Sequence, residues 1–147
     1  MIKKFLLLHI IIIFLTFINR NLLAEDFFFE GEEIQIINNG EILKSNKGIK
    51  ISSTSGVIIT AKEFEYNKKN SELIVSINVI VDDKTNATVI KTNKIKYFKN
   101  LEKIQTFDET EIEIEKNILI KTKDLIYLRK SGELKSKYKT SLMDKYQ

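Results

Sequence analysis

A pattern that returns about every 30 residues constrains the fold of this chain more than any other feature. Its three clear copies lie at residues 61–68 (AKEFEYNK), 92–99 (TNKIKYFK) and 122–129 (TKDLIYLR). Their tyrosines are Tyr66, Tyr97 and Tyr127, which are spaced by 31 and 30 residues. A weaker first copy, residues 32–36 (EEIQI), precedes them by the same interval. A fixed period of this length indicates one supersecondary unit that is repeated along the chain.

Alternation of apolar and polar residues marks the strands within these units. It is clearest in residues 73–80 (LIVSINVI) and 111–115 (EIEIE). A period of two is typical of strands that bury one face. Segments rich in turn-forming residues separate the strands, for example residues 38–40 (NNG) and 53–56 (STSG). We therefore predict an all-β domain, a sandwich, barrel or roll, with two to three strands in each unit of about 30 residues.

The first 24 residues are predicted to form a secretory signal peptide. Lys3 and Lys4 precede an apolar run at residues 5–18, and cleavage is expected after Ala24. The run is shorter than the roughly 20 residues that a membrane-spanning helix needs. Because Leu22 is a poor residue at the −3 position of a cleavage site, an uncleaved membrane anchor stays open as an alternative. Residues 25–147 are predicted to form one domain.

Removal of the signal peptide changes the charge of the chain. The full sequence has 24 basic and 20 acidic residues, and three basic residues leave with the signal, so the mature chain has 21 basic and 20 acidic residues. Lysines and glutamates are interleaved along it, which argues against a nucleic-acid partner. The sequence has no cysteine, so an exported domain of this kind must be stabilised by packing.

We expect neither an enzyme nor a metal or cofactor site. The one histidine, His9, lies in the predicted signal, which excludes histidine- and cysteine-dependent catalysis and ordinary zinc sites from the mature chain. Residues 82–86 (DDKTN) lack the spacing of a calcium loop and are predicted to form a polar turn. Most acidic residues, such as Glu111 and Glu113, take the solvent-facing positions of strands. An enzyme with a carboxylate pair therefore stays only as a third alternative.

Residues 94–99 (KIKYFK) interleave basic and aromatic side chains, as surfaces that bind single-stranded nucleic acids do. The equivalent positions in the preceding copy, residues 63–66 (EFEY), keep the apolar character and reverse the charge. A phosphate-binding surface would keep its positive charge. We therefore expect Ile95 and Tyr97 to be core positions whose charged neighbours are solvated.

Across the copies, the apolar positions form two columns. One contains Phe64, Ile95 and Leu125, and the other contains the three tyrosines. Such columns have two interpretations. They are the closed hydrophobic core that any β fold needs, or they line an apolar groove between two sheets that admits an acyl chain. Periodicity alone does not separate the two.

The chain resembles the OstA-like N-terminal domain family. Residues 61–67 (AKEFEYN) match its Ala-(Asp/Lys)-x-x-x-Tyr-(Asp/Asn) element, and residues 71–79 (SELIVSINV) are similar to its strand of the type Leu-x-Val-x-Gly-Asn-Val. The family comprises the periplasmic lipopolysaccharide-transport proteins LptA and LptC and the N-terminal domain of the outer-membrane assembly protein LptD. The resemblance spans residues 30–138. It has two departures: Ser76 and Ile77 stand where the family often has a glycine, and Lys62 replaces the usual acid.

The resemblance implies a β-jellyroll of two facing antiparallel sheets, built from about four repeats, whose interior shields the acyl chains of lipid A. It also implies that jellyrolls join through their edge strands. The expected partners are thus lipopolysaccharide, other jellyroll transport proteins and the outer-membrane assembly machinery. The expected location is the periplasm, with outer-membrane association as an open variant. The absence of cysteine excludes disulfides that would link this domain to a barrel.

Two questions stay open at this point. The chain is either a complete bridge protein or the N-terminal piece of a longer assembly protein. The alternative to lipid transport is a structural β-solenoid or adhesin-type surface module with a closed core and no lipid ligand. The candidate lipid-binding residues are the interior apolar positions Ile36, Ile51, Ile59, Phe64, Tyr66, Val75, Ile77, Val79, Ile95, Tyr97, Ile104, Ile112, Ile114, Leu125 and Tyr127.

Overall fold

The computed structural model describes residues 26–145, and the predicted signal peptide lies outside them. Within these residues, fourteen strands follow one another: β1 (Phe27–Gly31), β2 (Gln35–Ile37), β3 (Ile42–Ser45), β4 (Ile49–Ser53), β5 (Val57–Ala61), β6 (Glu63–Asn67), β7 (Glu72–Asp83), β8 (Thr88–Phe98), β9 (Lys103–Thr106), β10 (Glu109–Ile114), β11 (Ile118–Lys123), β12 (Ile126–Leu128), β13 (Glu133–Lys135) and β14 (Ser141–Asp144). Two single-turn 3-10 helices, Asn38–Gly40 and Lys99–Leu101, lie between strands. Over residues 26–145, no helix is both long enough and apolar enough to cross a membrane.

The strands form one sheet that divides into two branches at the long strands β7 and β8. The first branch has the order β1-β4-β5-β7-β8-β10-β11-β14, and the second has the order β2-β3-β6-β7-β8-β9-β12-β13. The branches share β7, whose residues 80–83 pair with β5 and whose residues 72–76 pair with β6. The pairings within both branches are antiparallel. The predicted all-β jellyroll is confirmed, with its two facing sheets continuous through β7 and β8.

A β-bulge divides β7 between the two branches. Ile77 and Asn78 lie opposite a single residue of β8, because the register shifts between Ser76 and Val79. The φ angles of Ile77 and Asn78 are 68° and 55°, in the left-handed region that is unfavourable for a β-branched residue. A bulge bends the strand that carries it and increases its twist. This conformation gives a physical reason for the glycine that the OstA-like pattern has near this position, since glycine adopts it without strain.

The 30-residue period is the length of one circuit through both branches. From Tyr97 on β8, the chain forms β9 in the second branch, then β10 and β11 in the first, and returns to the second as β12, which contains Tyr127. The preceding circuit runs from Tyr66 through β7 and β8 to Tyr97. An earlier circuit runs from Ile36 through β3, β4 and β5 to Tyr66. Each circuit therefore returns a residue to the equivalent position of the second branch.

Candidate functional site

The inner face of the second branch carries a row of eight apolar residues, one from each strand. In spatial order the row is Ile36, Leu43, Tyr66, Leu73, Tyr97, Ile104, Tyr127 and Leu134. The three repeat tyrosines thus lie in one row, as their spacing predicts, with aliphatic side chains from the strands between them. Tyr97 and Ile104 in the middle of the row are 0% exposed, whereas Ile36 at its end is 64% exposed. The row is buried at its centre and reaches solvent at the edge strand β2.

A matching row crosses the first branch. Its members, in spatial order, are Phe29, Ile51, Ile59, Val81, Ile90, Ile112, Ile120 and Leu142. The central residues Val81 and Ile90 are 0% exposed, and Leu142 on the edge strand β14 is 68% exposed. Each branch therefore presents an unbroken apolar track that runs across all eight of its strands.

The two tracks pack against each other in one hydrophobic core. Aromatic rings of β1 make the clearest contact between the branches. The ring of Phe27 lies 5.5 Å from that of Tyr66 and 5.5 Å from that of Tyr97. Phe29 lies 5.2 Å from Phe64 in a stacked arrangement and 5.4 Å from Tyr66. Aromatic pairs at such distances are favourable beyond the apolar area that they bury.

Most of the predicted interior residues lie in this core. Those that are buried are Ile51, Ile59, Phe64, Tyr66, Val75, Val79, Ile95, Tyr97, Ile104, Ile112, Leu125 and Tyr127. Ile114 is partly buried and packs against them, and Ile77 is partly exposed at the bulge. Ile36 departs from the expectation of an interior position. It lies in the inner row, but β2 is an edge strand that, among the described strands, pairs only with β3, so its side chain is open to solvent.

Five further core residues are absent from the predicted set: Ile49, Val57, Leu73, Val81 and Ile90. Leu73 and Val81 continue the alternation of β7 and could have been found from it. Ile90 could not be found in this way, because the buried residues of β8 have even numbers in the first branch and odd numbers in the second. Thr88 and Ile90 are buried in the first branch, and Ile95 and Tyr97 in the second.

A buried polar cluster at one end of the interior was also missed. The Arg129 Nε donates a hydrogen bond to the Asp83 Oδ2 over 2.8 Å, and the Tyr127 hydroxyl donates to the same oxygen over 2.9 Å. The Arg129 Nη1 donates to the Tyr97 hydroxyl over 2.8 Å. Asp83 is 0% exposed, and Arg129 is 4% exposed. From sequence, Asp83 belongs to the predicted polar turn at residues 82–86. In the structure β7 continues through Asp83 and the turn comprises residues 84–87, and nothing local in the sequence marks the Asp83 side chain as buried.

The surroundings of this cluster shift its ionisation. Burial alone would raise the pKa of Asp83, but hydrogen bonds from Arg129, Asn86 and Tyr127, together with the guanidinium charge, hold that pKa below its ordinary value. Burial and the hydrogen bond to Asp83 raise the pKa of Tyr127 to about 12. The ion pair therefore stays charged inside the fold, which is the arrangement that buried charges require.

Outside the tracks, the described residues offer polar surface and scattered acidic side chains. A surface pocket of about 570 Å³ beside the second branch is lined mainly by polar residues, which include Lys44, Asn46, Glu63 and Glu65. Within residues 26–145, histidine, aspartate and glutamate side chains form no group of three that could hold a metal ion.

Comparison with solved structures relates this arrangement to a known fold. The chain superposes on LptH of Pseudomonas aeruginosa, the LptA homologous periplasmic component of the conserved lipopolysaccharide transport device, with a TM-score of 0.67. The match covers 80% of this chain and 94% of LptH. The two chains share one fold. Their sequences are 9% identical, so the likeness extends to the β-jellyroll architecture alone. No protein-family model matches the sequence, and a comparison with curated proteins found no match.

Proposed function

We propose that this protein binds lipopolysaccharide in the periplasm and carries it toward the outer membrane. The observation that supports this most directly is the pair of apolar tracks, each eight strands wide, on the facing inner surfaces of a fold shared with LptH. We also propose that the chain is an OstA-like protein, exported by the signal peptide at residues 1–24. In this proposal it acts either as a bridge or as the N-terminal part of an assembly protein.

The proposed role needs apolar shielding and no bond-making chemistry. Each methylene group of an acyl chain that leaves water contributes roughly 0.8 kcal/mol, so partial burial of several chains is strongly favourable. The inward-facing residues of the tracks, with the exception of the exposed Ile36, are the proposed contacts for lipid A. Directional movement requires a source of energy in a partner protein.

The edge strands provide the proposed contacts with other jellyrolls. β1 and β2 lie at one edge of the two branches, and β13 and β14 lie at the other. An edge strand has unpaired backbone groups that can pair with a strand of another chain. Such pairing at β14 would cover Leu142, the exposed end of the track in the first branch. Addition of a second jellyroll would thereby lengthen both tracks.

Lipid A co-purification tests the proposed function. The wild-type protein is exported in a Gram-negative host, purified from the periplasm and extracted for mass spectrometry of lipid A. Ile120→Asp places a charge in the track, whereas Lys121→Asp places one on the outer face of the same strand. We expect lipid A with the wild type and with Lys121→Asp, and at least tenfold less with Ile120→Asp. Equal amounts in both folded variants, or none with the wild type, would refute the proposal.

A structural module with a closed core is the second candidate function. It is favoured by the complete burial of central residues such as Tyr97, Ile104 and Ile112, each 0% exposed. The antiparallel pairing of both branches argues against the solenoid form of this alternative, because the coils of a β-helix stack in parallel. A structural module of this kind predicts that the wild-type protein carries no lipid A.

A further inference from the structure

Two phenylalanine side chains of β1 cover an aromatic pocket on the second branch. The pocket is formed by Phe64, Tyr66 and Tyr97, which are 4%, 7% and 0% exposed. Phe27 and Phe29 contact these rings at centroid distances of 5.2 to 5.5 Å and are themselves partly exposed. The β1 rings therefore stand between the pocket and solvent. All three pocket residues are among those predicted to contact lipid.

Among the strands of residues 26–145, the strand that carries these two rings has a partner on one side only. β1 has five residues and pairs there with β4, at the edge of the first branch. Its ion pair with β4 is exposed, with Glu30 contacting Lys50 over 3.1 Å. Asp26, just before the strand, is exposed and contacts the largely buried Lys99 over 3.8 Å. Exposed pairs of this kind contribute little to stability. The ring contacts of Phe27 and Phe29, which include the Lys99 Nζ 5.5 Å from the Phe27 ring, are thus the main attachment of β1 to the second branch.

We infer that the pocket of Phe64, Tyr66 and Tyr97 is a subsite for a saturated acyl chain, and that Phe27 and Phe29 occupy it when no lipid is bound. This inference rests on the proposed lipid-carrying function and specifies where one acyl chain enters. An acyl chain in the pocket would replace the apolar contacts that the two phenyl rings make. Because β1 lies at an edge, it can move aside without breaking a pairing between other strands.

A disulfide across the outer face of β1 and β4 tests this inference without altering the pocket. Phe28 and Ser52 are register partners that face outward, and Phe28 is 56% exposed. Directly opposed residues of antiparallel strands lie within the distance that a disulfide spans. The chain has no cysteine of its own, so Phe28→Cys with Ser52→Cys forms one defined bond. The matched control at the other edge is Lys121→Cys with Ser141→Cys, which joins β11 to β14.

The probe is 11-(dansylamino)undecanoic acid, a fluorescent acyl chain, titrated into protein purified from the periplasm, with purified lipid A as competitor. We expect the oxidised β1–β4 variant to bind the probe at least tenfold more weakly than the same variant after reduction. The β11–β14 control should bind equally in both states. The double variant Phe27→Ala with Phe29→Ala should bind at least as tightly as the wild type.

Failure of the subsite and failure of the proposed function give different results in this experiment. If the oxidised β1–β4 variant binds the probe as tightly as its reduced form and lipid A displaces the probe, the subsite is wrong and the proposed function stands. If neither the wild type nor the reduced variants bind probe or lipid A, the proposed function fails and the subsite fails with it.

Discussion

The Arg129 guanidinium and the Asp83 carboxylate form a buried ion pair, with 2.8 Å between Nε and Oδ2. Arg129 follows β12 in the second branch, and Asp83 ends β7 in the first branch. The pair therefore links the two branches by a direct polar contact, at a place distant from the bulge at which β7 passes from one branch to the other. The Arg129 Nη1 also reaches Ser55, in the turn after β4, over 2.9 Å.

Removal of either partner of this pair should destabilise the protein by about 3–5 kcal/mol, because the remaining charge is left buried and uncompensated. Asp83→Leu and Arg129→Met are the two single variants, and urea denaturation measures the free energy of unfolding. Simultaneous replacement should recover most of the loss, since two apolar side chains leave no buried charge. If the double variant loses as much unfolding free energy as the two single variants together, this account is contradicted.

The lowered pKa of Asp83 predicts a loss of stability in acid. Its ordinary value is 3.8, and the folded protein binds the proton more weakly than the unfolded chain does. The contribution of Asp83 is therefore complete above that ordinary value and is lost as pH falls toward the lower pKa of the folded state. We expect the difference in unfolding free energy between wild type and Asp83→Asn to be constant from pH 7 to pH 5 and to shrink toward pH 2. A constant difference over the whole range would show that the carboxylate charge is not involved.

The left-handed backbone at Ile77 predicts that glycine is more stable than alanine at this position, the reverse of the usual order in a strand. In a strand, glycine is normally less stable than alanine by about 0.5–1 kcal/mol. At Ile77, where φ is 68°, alanine keeps the steric cost and glycine removes it, so Ile77→Gly should be about 1 kcal/mol more stable than Ile77→Ala. Ile74 on the same strand is the control, where the normal order is expected. Thermal or urea unfolding of the four variants provides the comparison.

Gly31 lies where β1 meets the segment before β4, with no room for a side chain. A Cβ atom there would stand 2.6 Å from the Gly48 carbonyl oxygen and 2.9 Å from the Ile49 Cδ1. Gly31→Ala should therefore destabilise the protein by about 1–3 kcal/mol and speed amide hydrogen exchange in β1. Glu30→Ala, on the exposed side of the same strand, should change stability by no more than about 1 kcal/mol. Equal effects of the two substitutions on stability would show that the structure accommodates the added Cβ atom at position 31.

The strands and their inner faces could be predicted from the sequence wherever a strand stays within one branch. In β6, Phe64 and Tyr66 alternate with acidic residues, and both are buried. The prediction failed for Ile90 because β8 crosses between branches and changes which alternate residues are buried. It failed for Ile36 because alternation identifies the face of a strand and does not show whether another strand covers it.

The polar cluster could not be predicted at all from local patterns. Asp83 and Arg129 are 46 residues apart, and each stands among polar turn residues. Their burial follows from the way the two branches fold over each other, which is a long-range property. Similarly, the 30-residue repeat predicted that the chain is built from units, but the course of each unit through both branches required the strand pairings.

Photo-crosslinking in living cells tests the central claim, a lipid-lined interior, most directly. A benzoyl-phenylalanine at Leu134 or Ile120 lies on the partly open end of a track, and the outward controls are Lys135 and Lys121 on the same strands. We predict that lipopolysaccharide is captured at Leu134 and Ile120 and not at the two lysine positions. Capture at none of the four positions, in a protein that is folded and exported, would contradict the transport account and leave a closed structural core.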